Sequence, residues 1–275
     1  MPEFGLNSWT TGDGASALAD VRAAAAAGYR HIELRDWKLE RHMAAGGSLA
    51  ELRDRIAAAG LKVLSVNTLD DSTLHEGPKL AALAERCRTL AAWAAALDCP
   101  QVIVGPSYLS DGRRDVEAIR GRTVEALARH AAVAAEHGVR IAFEYHGYAG
   151  CSINNLADAR AVLDALGDAR VGLVIDAFHF YVGSSRFDEL ERFDGRRSFI
   201  AHLADVDHAD KATLRKPNRV LPGEGVLPVG DLVRSLRRAG YRGPYSLELF
   251  NEALWALDPM IVAERGLRSM RSLFQ

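Results

Sequence analysis

The amino-acid sequence predicts an α/β fold in which eight parallel strands close into a (β/α)8 barrel. One unit recurs along the chain: an Ala-rich helical segment ends on glycine, and a short apolar strand candidate follows within a residue or two. Eight strand candidates fit into 275 residues, which is the usual length of a TIM barrel. Because no Pro/Ser-rich linker or shift in composition divides the chain, residues 1–275 are predicted to form a single domain.

Glycine marks the passage from helix to strand at four places. Gly28, Gly60, Gly138 and Gly240 precede the strand candidates 29–34, 61–66, 139–144 and 241–249. Glycine is favoured just past a helix because it adopts the left-handed conformation without a Cβ clash. These four sites therefore predict αβ units rather than isolated helices.

The other elements fill the intervals between these units. The remaining strand candidates are 3–8, 101–105, 171–176 and 199–202, and apolar periodicity predicts helices over 15–27, 79–97, 116–136, 156–166, 228–238 and 259–273. Strands that alternate with helices indicate a parallel sheet with right-handed crossovers. The long polar segment 205–225 lies between the seventh strand and its helix, so we expect it to border the active-site face.

Composition limits the classes of partner. The formal net charge is −2 and no basic stripe is present, which argues against nucleic-acid binding. No segment approaches the roughly 20 apolar residues of a membrane span. Three cysteines without C-x-x-C spacing suit a reducing compartment, so we expect a cytoplasmic protein. The expected partner is a small polyol or keto-sugar, and homo-oligomerisation is left open.

Four strand candidates end in a metal-binding type of residue: Glu144, Asp176, His202 and Glu248. Each follows an apolar run typical of a strand buried on both faces, where a charge is costly unless it is paired or bound to metal. One such residue alone is often only solvated or a helix cap. Four of them on strands five to eight of one barrel converge at its C-terminal face. They predict a site for one divalent ion (Mn²⁺, Co²⁺, Zn²⁺ or Mg²⁺).

Five further residues are predicted to contact a substrate: His179, Arg219, Glu33, Asn67 and His146. His179 follows Asp176 by three residues, and Arg219 precedes an ordered Pro-Gly turn. Glu33, followed by Arg35, would contact a polyol from the opposite wall of the site. An ion pair inside the barrel is an equal alternative for Glu33.

The predicted site suggests a class of reaction. A cation chelated by two adjacent oxygens of a hydroxy-ketone polarises the carbonyl and stabilises an enediolate. Two metal-bound carboxylates on opposite sides would then take a proton from one carbon and return it to the next carbon or to the other face of the same carbon. The outcome is isomerisation in the first case and epimerisation in the second. No dinucleotide-binding or Walker motif is present to suggest an organic cofactor.

The segments that carry these residues resemble the xylose-isomerase-like superfamily of sugar isomerases and epimerases, and within it the inosose isomerases. The similar stretches are Tyr-Arg-His-Ile-Glu33, Cys151-Ser-Ile-Asn-Asn, Val-Ile-Asp176-Ala-Phe-His179, Phe-Ile-Ala-His202, Arg219-Val-Leu-Pro-Gly and Ser-Leu-Glu248-Leu-Phe. The resemblance implies that the four strand-end residues hold the metal and that the two glutamates transfer the proton of a keto-inositol or related ketose. The resemblance also implies that His179 and Arg219 contact the substrate. The chain departs from the pattern at Asn251, Glu252 and Ala253, where inosose isomerases tend to read Arg-Pro-Glu.

Other activities remain open on the same barrel. A ketose 3-epimerase, a hydroxypyruvate isomerase and a 3-dehydroshikimate-type dehydratase would share the metal and the enolate chemistry. A nuclease resembling endonuclease IV needs more histidine ligands at strand ends than this chain has, and a basic surface. A binding module without catalysis is a further alternative, because the barrel alone implies no function, although the presence of both Glu144 and Glu248 argues against it.

Overall fold

Eight parallel strands form a closed barrel in the computed structural model, which describes residues 2–109 and 115–275. The barrel strands are β1 (Phe4–Asn7), β2 (His31–Arg35), β3 (Lys62–Leu69), β4 (Gln101–Val104), β5 (Arg140–Glu144), β6 (Val171–Asp176), β7 (Ser198–Leu203) and β10 (Tyr245–Leu247). They follow one another around the barrel in chain order, and β10 closes it by pairing with β1. The predicted (β/α)8 barrel is confirmed.

Helices connect the strands. They are α1 (Ala17–Ala27), α2 (Asp36–Ala44), α3 (Leu49–Ala58), α4 (Gly77–Ala96), α5 (Val116–Ala135), α6 (Leu156–Leu166), α7 (Ala177–Val182), α8 (Phe187–Glu191), α9 (Val229–Arg238), α10 (Glu252–Trp255) and α11 (Pro259–Ser272). Gly28 ends α1 with a φ of 93°, the left-handed conformation expected of it. Across residues 2–109 and 115–275, no helix has the length and apolarity needed to cross a membrane.

Two connections differ from the simple repeating unit. Between β6 and β7 the chain forms the two short helices α7 and α8 instead of one long helix. The polar segment that begins at residue 205 contains β8 (Asp205–Val206) and β9 (Arg219–Val220), which pair as an antiparallel hairpin at the C-terminal face. Segment 205–225 is therefore partly β-structure, although its composition predicts a loop.

An apolar layer fills the barrel interior directly beneath the predicted metal site. It consists of Leu64, Ile103, Ala142, Val174 and Ile200, each at most 5% exposed. Side chains two residues apart on a strand point to the same face. Three members of the layer therefore lie just below the strand-end residues Glu144, Asp176 and His202, and they close the floor of the site.

A buried ion pair ties α2 to the start of α1. The Lys38 Nζ atom lies 2.7 Å from Asp20 Oδ2, and both side chains are wholly buried. Lys38 also donates to the backbone oxygen of Ser8 at 2.8 Å, while the hydroxyl of Thr11 donates to Asp20 Oδ1 at 2.6 Å. The pair therefore fixes the connection that follows β1 at the C-terminal face.

Removing one partner of this pair should destabilise the protein strongly. We expect Lys38→Met to lower the free energy of unfolding by about 3–5 kcal/mol, because Asp20 would remain buried without its cation. The double variant Lys38→Met/Asp20→Asn should be more stable than Lys38→Met, since it removes the isolated charge. Urea denaturation followed by circular dichroism measures both, and wild-type stability in Lys38→Met would contradict the expectation.

Candidate active site

The strand register brings the four predicted metal ligands to one end of the barrel. Asp176 and His202 are directly paired positions on the neighbouring strands β6 and β7. Glu144 ends β5, and Glu248 follows β10, where its backbone N–H donates to Leu203 at 3.3 Å. The four residues thus occupy consecutive positions around the C-terminal mouth.

Their ligand atoms converge on a small volume. One oxygen of each carboxylate and one nitrogen of the imidazole all lie within 4.8 Å of one another. The His202 Nδ1 atom is 3.0 Å from Glu144 Oε1, 3.5 Å from Glu248 Oε2 and 3.8 Å from Asp176 Oδ2. Three carboxylates and one imidazole are a donor set that suits a hard or borderline divalent cation. The residues therefore fit the metal that the sequence predicts.

Glu33 fixes the orientation of the His202 ring. The His202 Nε2 atom lies 3.1 and 3.2 Å from the two Glu33 oxygens, on the side opposite the three carboxylates. Glu33 is fully buried and also accepts the hydroxyls of Ser65 and Ser246. A carboxylate that receives the outer N–H of a ligand histidine fixes the tautomer and strengthens the ligand. The geometry therefore presents Nδ1 as the metal-binding nitrogen.

The charges of the four residues are strongly coupled in the absence of metal. Burial disfavours the imidazolium, but Glu33, Glu248 and Glu144 outweigh it and raise the pKa of His202 well above its ordinary value. Burial raises the pKa of Glu144, yet His202 and His146 bring it well below its usual range. Burial dominates at Asp176 and raises its pKa, although Arg219 opposes the shift. A proton on His202 thus occupies the centre that a metal ion would take.

Arg219 reaches this centre from the hairpin. Its Nη1 atom lies 2.8 Å from Asp176 Oδ2 and 3.0 Å from Glu248 Oε2, and the side chain is completely buried. The hairpin is ordered by Asp205, a buried carboxylate that accepts three backbone N–H groups, those of Val206, Gly223 and Leu227. Arg219 therefore positions two of the carboxylates that are predicted to bind the metal.

His179 presents a hydrogen-bond donor to the site. The backbone N–H of Gly147 donates to its Nδ1 atom at 3.1 Å, and a Cβ at Gly147 would lie only 2.5 Å from the backbone oxygen of His179. Burial, His146 and Arg219 hold the pKa of His179 well below its ordinary value. A neutral ring that accepts at Nδ1 carries its hydrogen on Nε2. Arg219 Nη2 lies 3.4 Å from this Nε2 atom, and since both groups are donors, a substrate oxygen between them could accept from both.

His146 lies beside Glu144, and its Nε2 atom is 3.7 Å from Glu144 Oε2. Burial opposes the charged ring, but contacts with Cys151 and Glu144 outweigh it and raise the pKa of His146 to about 9. The resulting imidazolium helps to keep Glu144 ionised.

A narrow cleft opens onto the site. It is lined by Arg35, Thr68, Asp70, Glu144, His146, His179, Lys216, Arg219, Glu248 and Phe250. Of the four metal-binding candidates, Glu144 and Glu248 line the cleft, whereas Asp176 and His202 are 1% and 0% exposed beneath it. The two glutamates are thus the members that face a ligand.

Two residues predicted to contact a substrate lie away from the cleft lining. Glu33 is buried behind His202, so its contacts support the alternative role as an ion-pair partner inside the barrel. Asn67 is 1% exposed and lies against the hydroxyl of Ser65. Neither side chain lines the cleft.

Sequence reasoning missed four residues of the cleft: Thr68, Asp70, Lys216 and Phe250. Lys216 precedes Arg219 by three residues in the segment expected to border the site, and Phe250 follows Glu248 by two. Proximity to predicted site residues was the signal that could have identified these two.

The chain is similar in sequence and in structure to known proteins. Residues 21–273 match the family model described as xylose isomerase-like TIM barrel. The chain belongs to this family. Inosose isomerase from Halalkalibacterium halodurans is 27% identical over 96% of this chain and 92% of its own length. A 3-dehydroshikimate dehydratase from Pseudomonas aeruginosa is 26% identical over 91% of this chain and 38% of its own.

A solved structure gives the same fold. The crystal structure of IolI protein with a bound zinc atom superposes with a TM-score of 0.94 at 23% identity, over 98% of this chain and 97% of the other. The curated relatives confirm the expectation of an isomerase- or epimerase-type enzyme.

Loss of the Glu33 charge should weaken metal binding. We expect Glu33→Gln to lower the affinity for Zn²⁺ or Mn²⁺ about 10- to 100-fold, because His202 would lose the carboxylate that orients it. Competition with a chromophoric chelator measures the affinity, and Glu51→Gln, an exposed position on α3, serves as the control. Equal affinity in Glu33→Gln and the control would exclude this role.

Metal binding should release a proton. Since the pKa of His202 is raised, the metal-free ring is protonated at neutral pH, and a metal ion must displace that proton. We expect about one proton to be released per ion at pH 7, and affinity to rise about tenfold per pH unit while His202 titrates. Calorimetry in buffers of different ionisation enthalpy measures the release. Binding that is independent of pH would be inconsistent with His202 as a ligand.

Proposed function

We propose that this family member is a divalent-metal-dependent isomerase that moves a carbonyl between adjacent carbons of a hydroxy-ketone such as a keto-inositol or related ketose. One observation carries the proposal. Three carboxylates and one imidazole nitrogen converge within 4.8 Å, and the two glutamates of this set also line the cleft. A purely structural metal site would leave the cleft-facing pair without a role.

The residues divide the chemical work. A divalent cation at the four ligand atoms would supply Lewis-acid stabilisation of the negative charge that develops on the substrate oxygens. Without metal, burial raises the pKa values of Glu144 and Glu248, but His202 outweighs it at both, with His146 adding to the effect at Glu144, and the two pKa values are lowered. A bound cation would take the place of the His202 proton and keep both glutamates ionised, so Glu144 suits the removal of a proton from carbon. Glu248 lies across the ligand set and suits the return of the proton.

Other groups orient the substrate or hold the functional side chains in place. The Nε2–H group of His179 would donate to a carbonyl or hydroxyl oxygen next to the reacting carbons. Asn7 donates to Glu248 Oε1 at 3.1 Å and thereby restrains one carboxylate of the proton-transferring pair. Asn251, at the departure from the inosose isomerase pattern, donates to the backbone oxygen of Arg219 at 2.9 Å. It therefore supports the hairpin arginine.

Deuterium exchange tests the proposal directly. Metal-loaded protein is incubated with keto-inositols, ketoses and ketose acids in D2O, and exchange at the carbon beside the carbonyl is followed by NMR. We expect exchange in the wild type and a loss of about 100-fold or more in Glu144→Gln and in Glu248→Gln, because each removes a proton carrier. The control variant Glu252→Gln changes an exposed carboxylate on α10 and should exchange at the wild-type rate.

The metal content of each variant separates proton transfer from metal loss. Slow exchange at full metal occupancy supports the assigned roles. Wild-type exchange in either cleft-facing variant, or no exchange with any candidate despite bound metal, would refute the proposal.

A further inference from the structure

Two cationic side chains at the cleft lack a carboxylate partner. Arg35 is the last residue of β2, and Lys216 begins a 3-10 helix (Lys216–Asn218) in the hairpin segment. Both line the cleft together with Glu144 and Glu248. Within residues 2–109 and 115–275, no carboxylate oxygen lies within 4.0 Å of either charged group.

Aromatic rings hold these two cations in place. The guanidinium carbon of Arg35 lies 5.2 Å from the centre of the Trp9 ring, and Lys216 Nζ lies 4.9 Å from that of Phe250. The two rings are themselves in contact, with centres 5.1 Å apart. Cation–π contacts attract a cation without neutralising it. Arg35 and Lys216 therefore keep their full charge beside the cleft.

The other charged groups of the cleft are already engaged. Arg219 is paired with Asp176 and Glu248. Asp70 lies close enough to His146 for its charge to contribute to the raised pKa of that ring. Neither residue neutralises the two free cations.

Arg35 also has an unsatisfied donor. Its Nε atom is buried and has no hydrogen-bond acceptor among the described residues. A buried donor without an acceptor is costly and calls for an explanation such as an absent ligand. An incoming oxygen atom, above all a charged one, would supply the acceptor.

We propose that the substrate of this site is a hydroxy-ketone that carries a carboxylate, and that Arg35 and Lys216 bind this carboxylate while the ketone end lies at Glu144 and Glu248. The inference rests on the proposed function and narrows its substrate class. A neutral polyol would leave both charges uncompensated, whereas a carboxylate forms charge-assisted hydrogen bonds that are about twice as strong as neutral ones.

Matched pairs of ligands test this assignment. D-fructuronate and D-fructose differ only in a carboxylate or a hydroxymethyl group at the end remote from the ketone, and D-tagaturonate and D-tagatose form a second pair. Dissociation constants are measured by calorimetry on the metal-loaded protein. We expect the acid of at least one pair to bind about tenfold or more tightly than its neutral partner. The preference should shrink as salt is added.

Variants connect the preference to the two residues. Lys216→Met and Arg35→Gln should each reduce the preference for the acid about tenfold, while affinity for the neutral ketose changes less than about twofold. Lys216→Arg keeps the charge and should keep the preference. The control Lys62→Met removes an exposed lysine at the start of β3, at the opposite end of the barrel. Thermal unfolding verifies that each variant is folded. If Arg35→Gln does not fold, the comparison of Lys216→Met with Lys216→Arg still decides the test.

The outcomes separate this inference from the proposed function. Equal affinity for acid and neutral ketose in both pairs, or a preference that survives in both variants, overturns the carboxylate assignment even if Glu144-dependent exchange of ketoses is observed. Acid preference that depends on Lys216 without any deuterium exchange supports the assignment and overturns the isomerase.

Discussion

The contact between His202 and Glu33 is the interaction on which the site depends. Glu33 holds one ring nitrogen from below, so the other nitrogen faces Glu144, Asp176 and Glu248. If the ring turned, Glu144 would lose its contact with Nδ1 at 3.0 Å, and Arg219 would be left to offset the repulsion between the carboxylates from Asp176 and Glu248 alone. Glu33 therefore contributes to the predicted metal site by orienting His202, although it is not a predicted ligand.

Arg219 supplies the second constraint on the same group of charges. It is fully buried and pairs with two of the carboxylates, which a buried arginine requires in order to offset its own desolvation. Its position depends on the hairpin, and the hairpin depends on the backbone N–H groups gathered by Asp205. Asp205 thus influences the electrostatics of the site indirectly, because it orders the hairpin that carries Arg219.

The sequence predicts the barrel and the four strand-end residues because both follow from local patterns. Apolar runs and glycine caps indicate strands and helix ends, and parallel strands have their carboxyl ends on one face. The role of Glu33 follows from a contact across 169 residues of chain, which no local pattern encodes. The same holds for Trp9 and Phe250, whose ring contact brings together the beginning and the end of the chain. The hairpin was missed because β8 and β9 are too short to show strand periodicity.

Anomalous diffraction from crystals of the metal-loaded protein tests the central claim most directly. The account predicts one strong anomalous peak bound by His202 Nδ1 and by one oxygen each of Glu144, Asp176 and Glu248, at about 2.0–2.2 Å if the metal is zinc. The Nε2 atom should remain hydrogen-bonded to Glu33. A metal bound through Nε2, or a peak that excludes any of these four residues, would contradict the account.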